Sequence, residues 1–183
     1  AETLLQLIND DENEAVDMAQ KVLYKYSDLY YENWLHNMKC KLGIFDEEAM
    51  DKAIIEDLLS MMEKYKEDFT NTFVSLTYRK NMDRGMFLTA EFTNWYKNWQ
   101  ERLERQEKSL DKAYELMKNS NPVVIPRNHK VEEALKAADN GDFTVMEKLL
   151  SVLSNPYEYR EDIDEYRELP QPTDLPYRTY CGT

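Results

Sequence analysis

Proline is distributed so unevenly that it limits the architecture before any other residue is considered. Residues 1–121 contain none, and all six prolines (Pro122, Pro126, Pro156, Pro170, Pro172 and Pro176) fall in the last third. Proline removes a backbone donor and clashes with the preceding turn, so it breaks helix interiors. The first two thirds are therefore free to form long helices, and the last third is not. Glycine is also scarce, at 4 residues in 183, which suits helices better than a turn-rich β-sandwich.

Within the proline-free part, apolar residues recur at helical spacing. From Glu12 to Leu42 the positions Ala19, Leu23, Tyr26, Tyr30, Trp34 and Met38 form one stripe. Asp10 and Asp11 are candidate caps for its start, and Gly43 stands where a C-terminal glycine belongs. A second helix is expected from Asp46 through Ile54, Ile55, Leu58, Leu59, Met62 and Tyr65, and a short third one from Asp68 to Leu76. The longest pattern carries Leu88, Phe92, Trp95, Trp99, Leu103, Leu110, Tyr114 and Met117, with an expected break near Lys108 and Ser109 because the stripe turns polar at Gln106. Two more helices follow, His129 to Ala138 and Phe143 to Leu153, joined by Asn140-Gly141-Asp142. That turn offers a C-terminal glycine and an N-capping aspartate.

From Asn155 the character changes to a 29-residue stretch with four prolines, five tyrosines and seven acidic residues. Five tyrosines are many for a solvated tail, so the stretch reads as an extended arm that docks its aromatics on a neighbouring surface. The expected fold is all-α: an irregular bundle of about six or seven helices over residues 1–154, with an extended Pro- and Tyr-rich C-terminal arm over 155–183.

Charge narrows the partners. Asp plus Glu number 36 against 23 Lys plus Arg, for a net charge of -13. Such a surface repels phosphate backbones, so nucleic-acid binding is not expected. No run approaches the ~18 apolar residues of a membrane span, and the N-terminus lacks the layout of a secretory signal. Two cysteines do not make a disulfide framework, and the expected location is cytoplasmic.

Few residue groups suggest chemistry. No G-x-G-x-x-G or G-x-x-x-x-G-K-[ST] is present, so no backbone cradle for phosphates is visible. His36 and Cys40, four apart, supply half of a tetrahedral zinc site, and no second pair completes it. His129 with Glu132 and Glu133 has the spacing of one di-iron carboxylate motif where two are needed. Between Asn121-Pro122 and Pro126 the chain must be extended, with Asn128 placed to cap a helix starting at His129. Arg127 then lies beside a helix N-terminus, where a cation is unfavourable unless an acid pairs with it. Arg127, Asn128 and His129 are thus interface or structural candidates. Cys181, third from the C-terminal residue, is a redox candidate, although its acidic surroundings raise a thiol pKa.

Several segments occur together in one order: Lys41-Leu42-Gly43-Ile44, Asp68-Phe69-Thr70-Asn71-Thr72-Phe73, Asn121-Pro122 through Arg127-Asn128-His129, and Leu169-Pro170-Gln171-Pro172 ending in Tyr180-Cys181-Gly182-Thr183. Between them lie Glu132-Glu133-Ala134-Leu135, Gly141-Asp142 and Asn155-Pro156-Tyr157. This series resembles the C-terminal region of the selenoprotein O family over residues 28–183. The resemblance implies a parent protein with a protein-kinase-like portion that transfers AMP from ATP to hydroxyl side chains of other proteins. ATP and Mg²⁺ would be bound by that portion, which lies upstream, and no cofactor is expected in this chain. No catalytic residue carries over. Cys181 matches the place where family members carry a selenocysteine or cysteine thought to form a redox-sensitive link, with Cys40 as the internal alternative partner.

The expected role is therefore the C-terminal helical part of an adenylyltransferase, itself non-catalytic, with the kinase-like portion and the parent's protein substrates as partners. A free-standing acidic helical module for protein–protein interaction is the alternative.

Overall fold

A computed structural model describes residues 2–171, and among these the regular structure is entirely helical. Seven helices have ten or more residues: α2 (Glu12–Lys41), α3 (Asp51–Tyr65), α4 (Phe69–Tyr78), α5 (Ala90–Arg105), α6 (Leu110–Ser120), α7 (Asn128–Asp139) and α8 (Thr144–Leu153). Two single turns, α1 (Leu5–Ile8) and α9 (Asp164–Arg167), flank them.

Local chemistry explains most boundaries. The Asp11 carboxylate accepts hydrogen bonds from the N–H groups of Asn13 and Glu14 and starts α2. Asp68, Thr89 and Ser109 cap α4, α5 and α6 in the same manner. At the other end of α2, Gly43 adopts a φ of +74, and an added Cβ would lie 2.9 Å from the Ala113 carbonyl of α6. Only glycine allows both that conformation and that approach.

The main core joins α2, α3, α5 and α6. Met38, Leu42, Ile55, Leu58, Trp95, Trp99, Leu103 and Met117 are buried in it, together with Phe73 and Leu76 of α4. A second, smaller core gathers Val74 of α4, Val123 and Val124 of the proline-flanked connection, Val152 of α8 and Ile163. Tyr159 and Tyr166 pack against this second core, and the Tyr159 ring lies tilted against Tyr78 with centroids 4.8 Å apart. The Pro156 carbonyl accepts from the N–H of Val123 at 2.6 Å, which fastens the segment to the extended connection.

Four expectations need correction. The second helix begins at Asp51 rather than Asp46, because residues 46–50 are held in a bend by contacts from α5. Asn128 does not cap α7; it is the first helical residue, and the Arg127 carbonyl already accepts from Lys130 and Val131. Residues 161–167 of the expected extended arm are wound into helical turns, which lets Ile163 reach the second core. Finally, the stripe along α2 is only partly covered: Trp34 and Met38 pack on the main core, whereas Leu23, Tyr26 and Tyr30 remain exposed. No helix among the described residues is long and apolar enough to cross a membrane.

Candidate functional site

The most concentrated chemistry lies where α5 meets the connection between α2 and α3. Arg102 is completely buried and Asp51 nearly so, at 0% and 2% exposure. Arg102 Nε donates to Asp51 Oδ1 at 2.6 Å, and its Nη2 donates to Asp51 Oδ2 at 3.3 Å and to the Asp46 carbonyl at 3.2 Å. Lys39 Nζ stands 3.6 Å from the same carboxylate, and Glu48 lies 3.3 Å from Arg102 Nη1 while accepting from Arg105.

Two more α5 side chains, and Gln106 just past its end, fasten the backbone around the same connection and the first turn of α3. Trp95 Nε1 donates to the Ile54 carbonyl, Trp99 Nε1 to the Leu42 carbonyl, and Gln106 Nε2 to the Gly43 carbonyl. The Gln106 amide oxygen accepts from the Phe45 N–H. Residues 95, 99, 102 and 106 share one helix face, so a single stripe both fills the core and satisfies the polar backbone beneath it. Neither Asp51 nor Arg102 stood out in the sequence; the available signal was an arginine on an otherwise apolar face. The charges answer one another, which makes the cluster a packing device.

The proline-flanked connection forms a second cluster. Arg127 reaches Asp68 with two hydrogen bonds, of 2.8 and 3.1 Å, so the residue that caps α4 also receives the guanidinium ahead of α7. Burial pushes the Asp68 carboxyl up, but Arg127, the Asn71 N–H and the Arg167 charge together hold it below the usual carboxylate range. His129 is half-buried in the first turn of α7, and Asn128 is exposed. Asn121 is 1% exposed and donates to the Lys41 carbonyl and to Thr77 Oγ1. Lys41 Nζ donates to the Ser120 carbonyl at 3.0 Å, a cation placed at the C-terminal end of α6. Burial lowers the Lys41 pKa.

His36 Nε2 and Cys40 Sγ lie 3.7 Å apart. Burial pushes the Cys40 thiol up, against a smaller opposing effect of the Lys39 charge, which disfavours the reactive thiolate. No group of three or more His, Cys, Asp or Glu among the described residues is placed to hold a metal ion. Glu133, beside the His129 motif, is paired with Lys130 at 3.5 Å. Cys181 lies outside the described residues.

A shallow groove of about 360 Å³ opens between α2, α3 and α4, lined by Tyr30, Trp34, Met38, Leu59 and Phe69 with Asn33, Asn37 and Lys41. It is more apolar than the clusters above and continues the uncovered face of α2.

Known proteins match this chain along its whole length. It is 55% identical over 184 aligned residues to a protein named "Protein nucleotidyltransferase YdiU" from Bacillus thuringiensis subsp. konkukian (strain 97-27), covering all of this chain and 38% of that protein. A protein of the same name from Clostridium beijerinckii (strain ATCC 51743 / NCIMB 8052) is 54% identical, with 100% of this chain and 37% of that protein covered. The chain thus spans well under half the length of these curated relatives. Residues 1–154 match the family described as "Protein adenylyltransferase SelO", a stretch that contains both buried charge clusters and the groove. On that match the chain belongs to the SelO family.

Proposed function

We propose that this chain is the C-terminal, non-catalytic helical part of a protein adenylyltransferase whose nucleotide site lies in the remaining polypeptide. The observation that carries this reading is the extent of the match: all of the chain aligns with 38% of a nucleotidyltransferase, at 55% identity. The chemistry of the described residues agrees. The N-termini of α2, α4, α5 and α6 are closed by their own capping side chains, and the chain carries a net charge of -13. Gly43 and Gly141 sit just past helix ends and Gly85 opens a short 3-10 helix, so they do not form a phosphate loop. In this reading no step of the transfer is assigned to the described residues.

In this reading ATP and Mg²⁺ belong to the kinase-like portion, and the helical part supports that portion and presents Cys181 to it. The reaction would move AMP from ATP to a hydroxyl group of a protein and release pyrophosphate. The test uses ATP labelled at the α-phosphate or the γ-phosphate, with Mg²⁺. The parent protein is expected to label protein from the α-position alone, and the 183-residue chain from neither. Label from the γ-position would indicate phosphorylation and contradict the reading. Label deposited by the 183-residue chain alone would contradict its non-catalytic role.

A further inference from the structure

The α2 helix shows two kinds of surface along one face. Ala19, Leu23, Tyr26, Tyr30, Trp34 and Met38 follow one another at intervals of three and four, but the main core covers only the last two. From Gln20 to Asn33 every residue is exposed, including Leu23 at 55%, Tyr26 at 65% and Tyr30 at 61%. Val22 and Leu29, also exposed, widen the face. Tyr26 and Tyr30 stack with centroids 6.2 Å apart, as do Tyr31 and Trp34 at 5.9 Å. From Ala19 to Tyr30 the stripe runs about 16 Å at 1.5 Å per residue, then enters the groove over Trp34, Leu59 and Phe69. Contiguous apolar surface of this kind marks an interaction site. A helix without tertiary packing is also marginal in water, so the exposed turns gain stability from whatever covers them.

We propose that this face of α2, with the groove that continues it, is the seat of the remaining portion of the parent polypeptide, which meets it with an apolar surface. This rests on the reading above that the chain is part of a longer adenylyltransferase. Two observations choose the occupant. Relatives extend far beyond the aligned segment, which is 38% of their length, so a covalently tethered partner is available at high effective concentration. The chain also carries a net charge of -13, so two copies meeting through this face would bring together two strongly acidic bodies, which repel.

Hydroxyl-radical footprinting of the intact parent protein tests the proposal without mutation. Tyr24, 77% exposed, points away from the stripe and serves as the internal reference. Tyr26 and Tyr30 are expected to oxidise at least about 5-fold more slowly than Tyr24 in the parent, because an interface core excludes water. The protection should persist on dilution, and Leu23→Asp with Tyr26→Asp should restore Tyr30 oxidation to the Tyr24 rate. Equal rates in the unsubstituted parent would overturn the proposal, as would protection lost on dilution, which would identify a second copy. The outcome is separable from the function above. Accessible tyrosines in a parent that transfers AMP sink only the interface, and protected tyrosines in a parent that transfers none sink only the activity.

Discussion

Arg102 and Asp51 are both buried and each is the other's shortest ionic contact, with Lys39 and Glu48 as longer-range partners. Removing one partner of such a pair strands a charge, which typically costs 3–5 kcal/mol, while replacing both by apolar groups costs far less. Asp51→Ala is therefore expected to lower stability by about 3–5 kcal/mol in urea unfolding, and Asp51→Leu combined with Arg102→Met by clearly less. A double variant as unstable as the single one would show that the pair contributes more than mutual neutralisation. Asp68 provides a pH-dependent counterpart. Its carboxyl is held below the usual range in the folded state, so its contribution is complete above the unfolded value of about 3.9 and is lost as pH falls through the lower folded value. The stability difference between the wild type and Asp68→Asn, followed by thermal unfolding, should be largest near neutral pH and shrink through that acid range. A difference that does not change with pH would contradict the assigned role of the charge.

At the scale of elements, the close approach of α2 and α6 depends on Gly43. Gly43→Ala combines a left-handed backbone with a Cβ only 2.9 Å from the Ala113 carbonyl, and Gly141→Ala has an even larger φ of +83 but open space around it. The first is expected to cost about 2 kcal/mol or more and the second about 1 kcal/mol, since only the first adds crowding to strain. Equal losses in urea unfolding would place the whole effect in the backbone. The helices themselves were legible because their signals are local: the cap Asp11, the glycines after α2 and α7, and the break before α6 all appear in the sequence, although the N-cap of α8 is Phe143 and not the expected Asp142. The start of α3 was not, because the bend at 46–50 is held by contacts to Asp46 from Arg102 and Glu107, more than fifty residues away. Periodicity also could not say how much of the α2 stripe is covered, since spacing identifies a face and not its neighbour. The Arg127 argument specified an acid partner, and only the structure supplies its name, Asp68.

For the whole molecule, the two cores and two buried charge clusters among the described residues leave an exposed apolar face along α2, and the relatives carry most of their length outside the aligned stretch. The candidate redox residue Cys181 lies outside the described residues. The division of labour proposed here is that the chain braces a nucleotide-binding portion and binds no nucleotide itself. Calorimetric titration of the 183-residue chain with ATP and Mg²⁺ addresses it most directly. The account predicts no saturable heat from this chain, with binding appearing once the rest of the parent is present. Clear saturable binding by the chain alone would contradict it and place a nucleotide site within these helices.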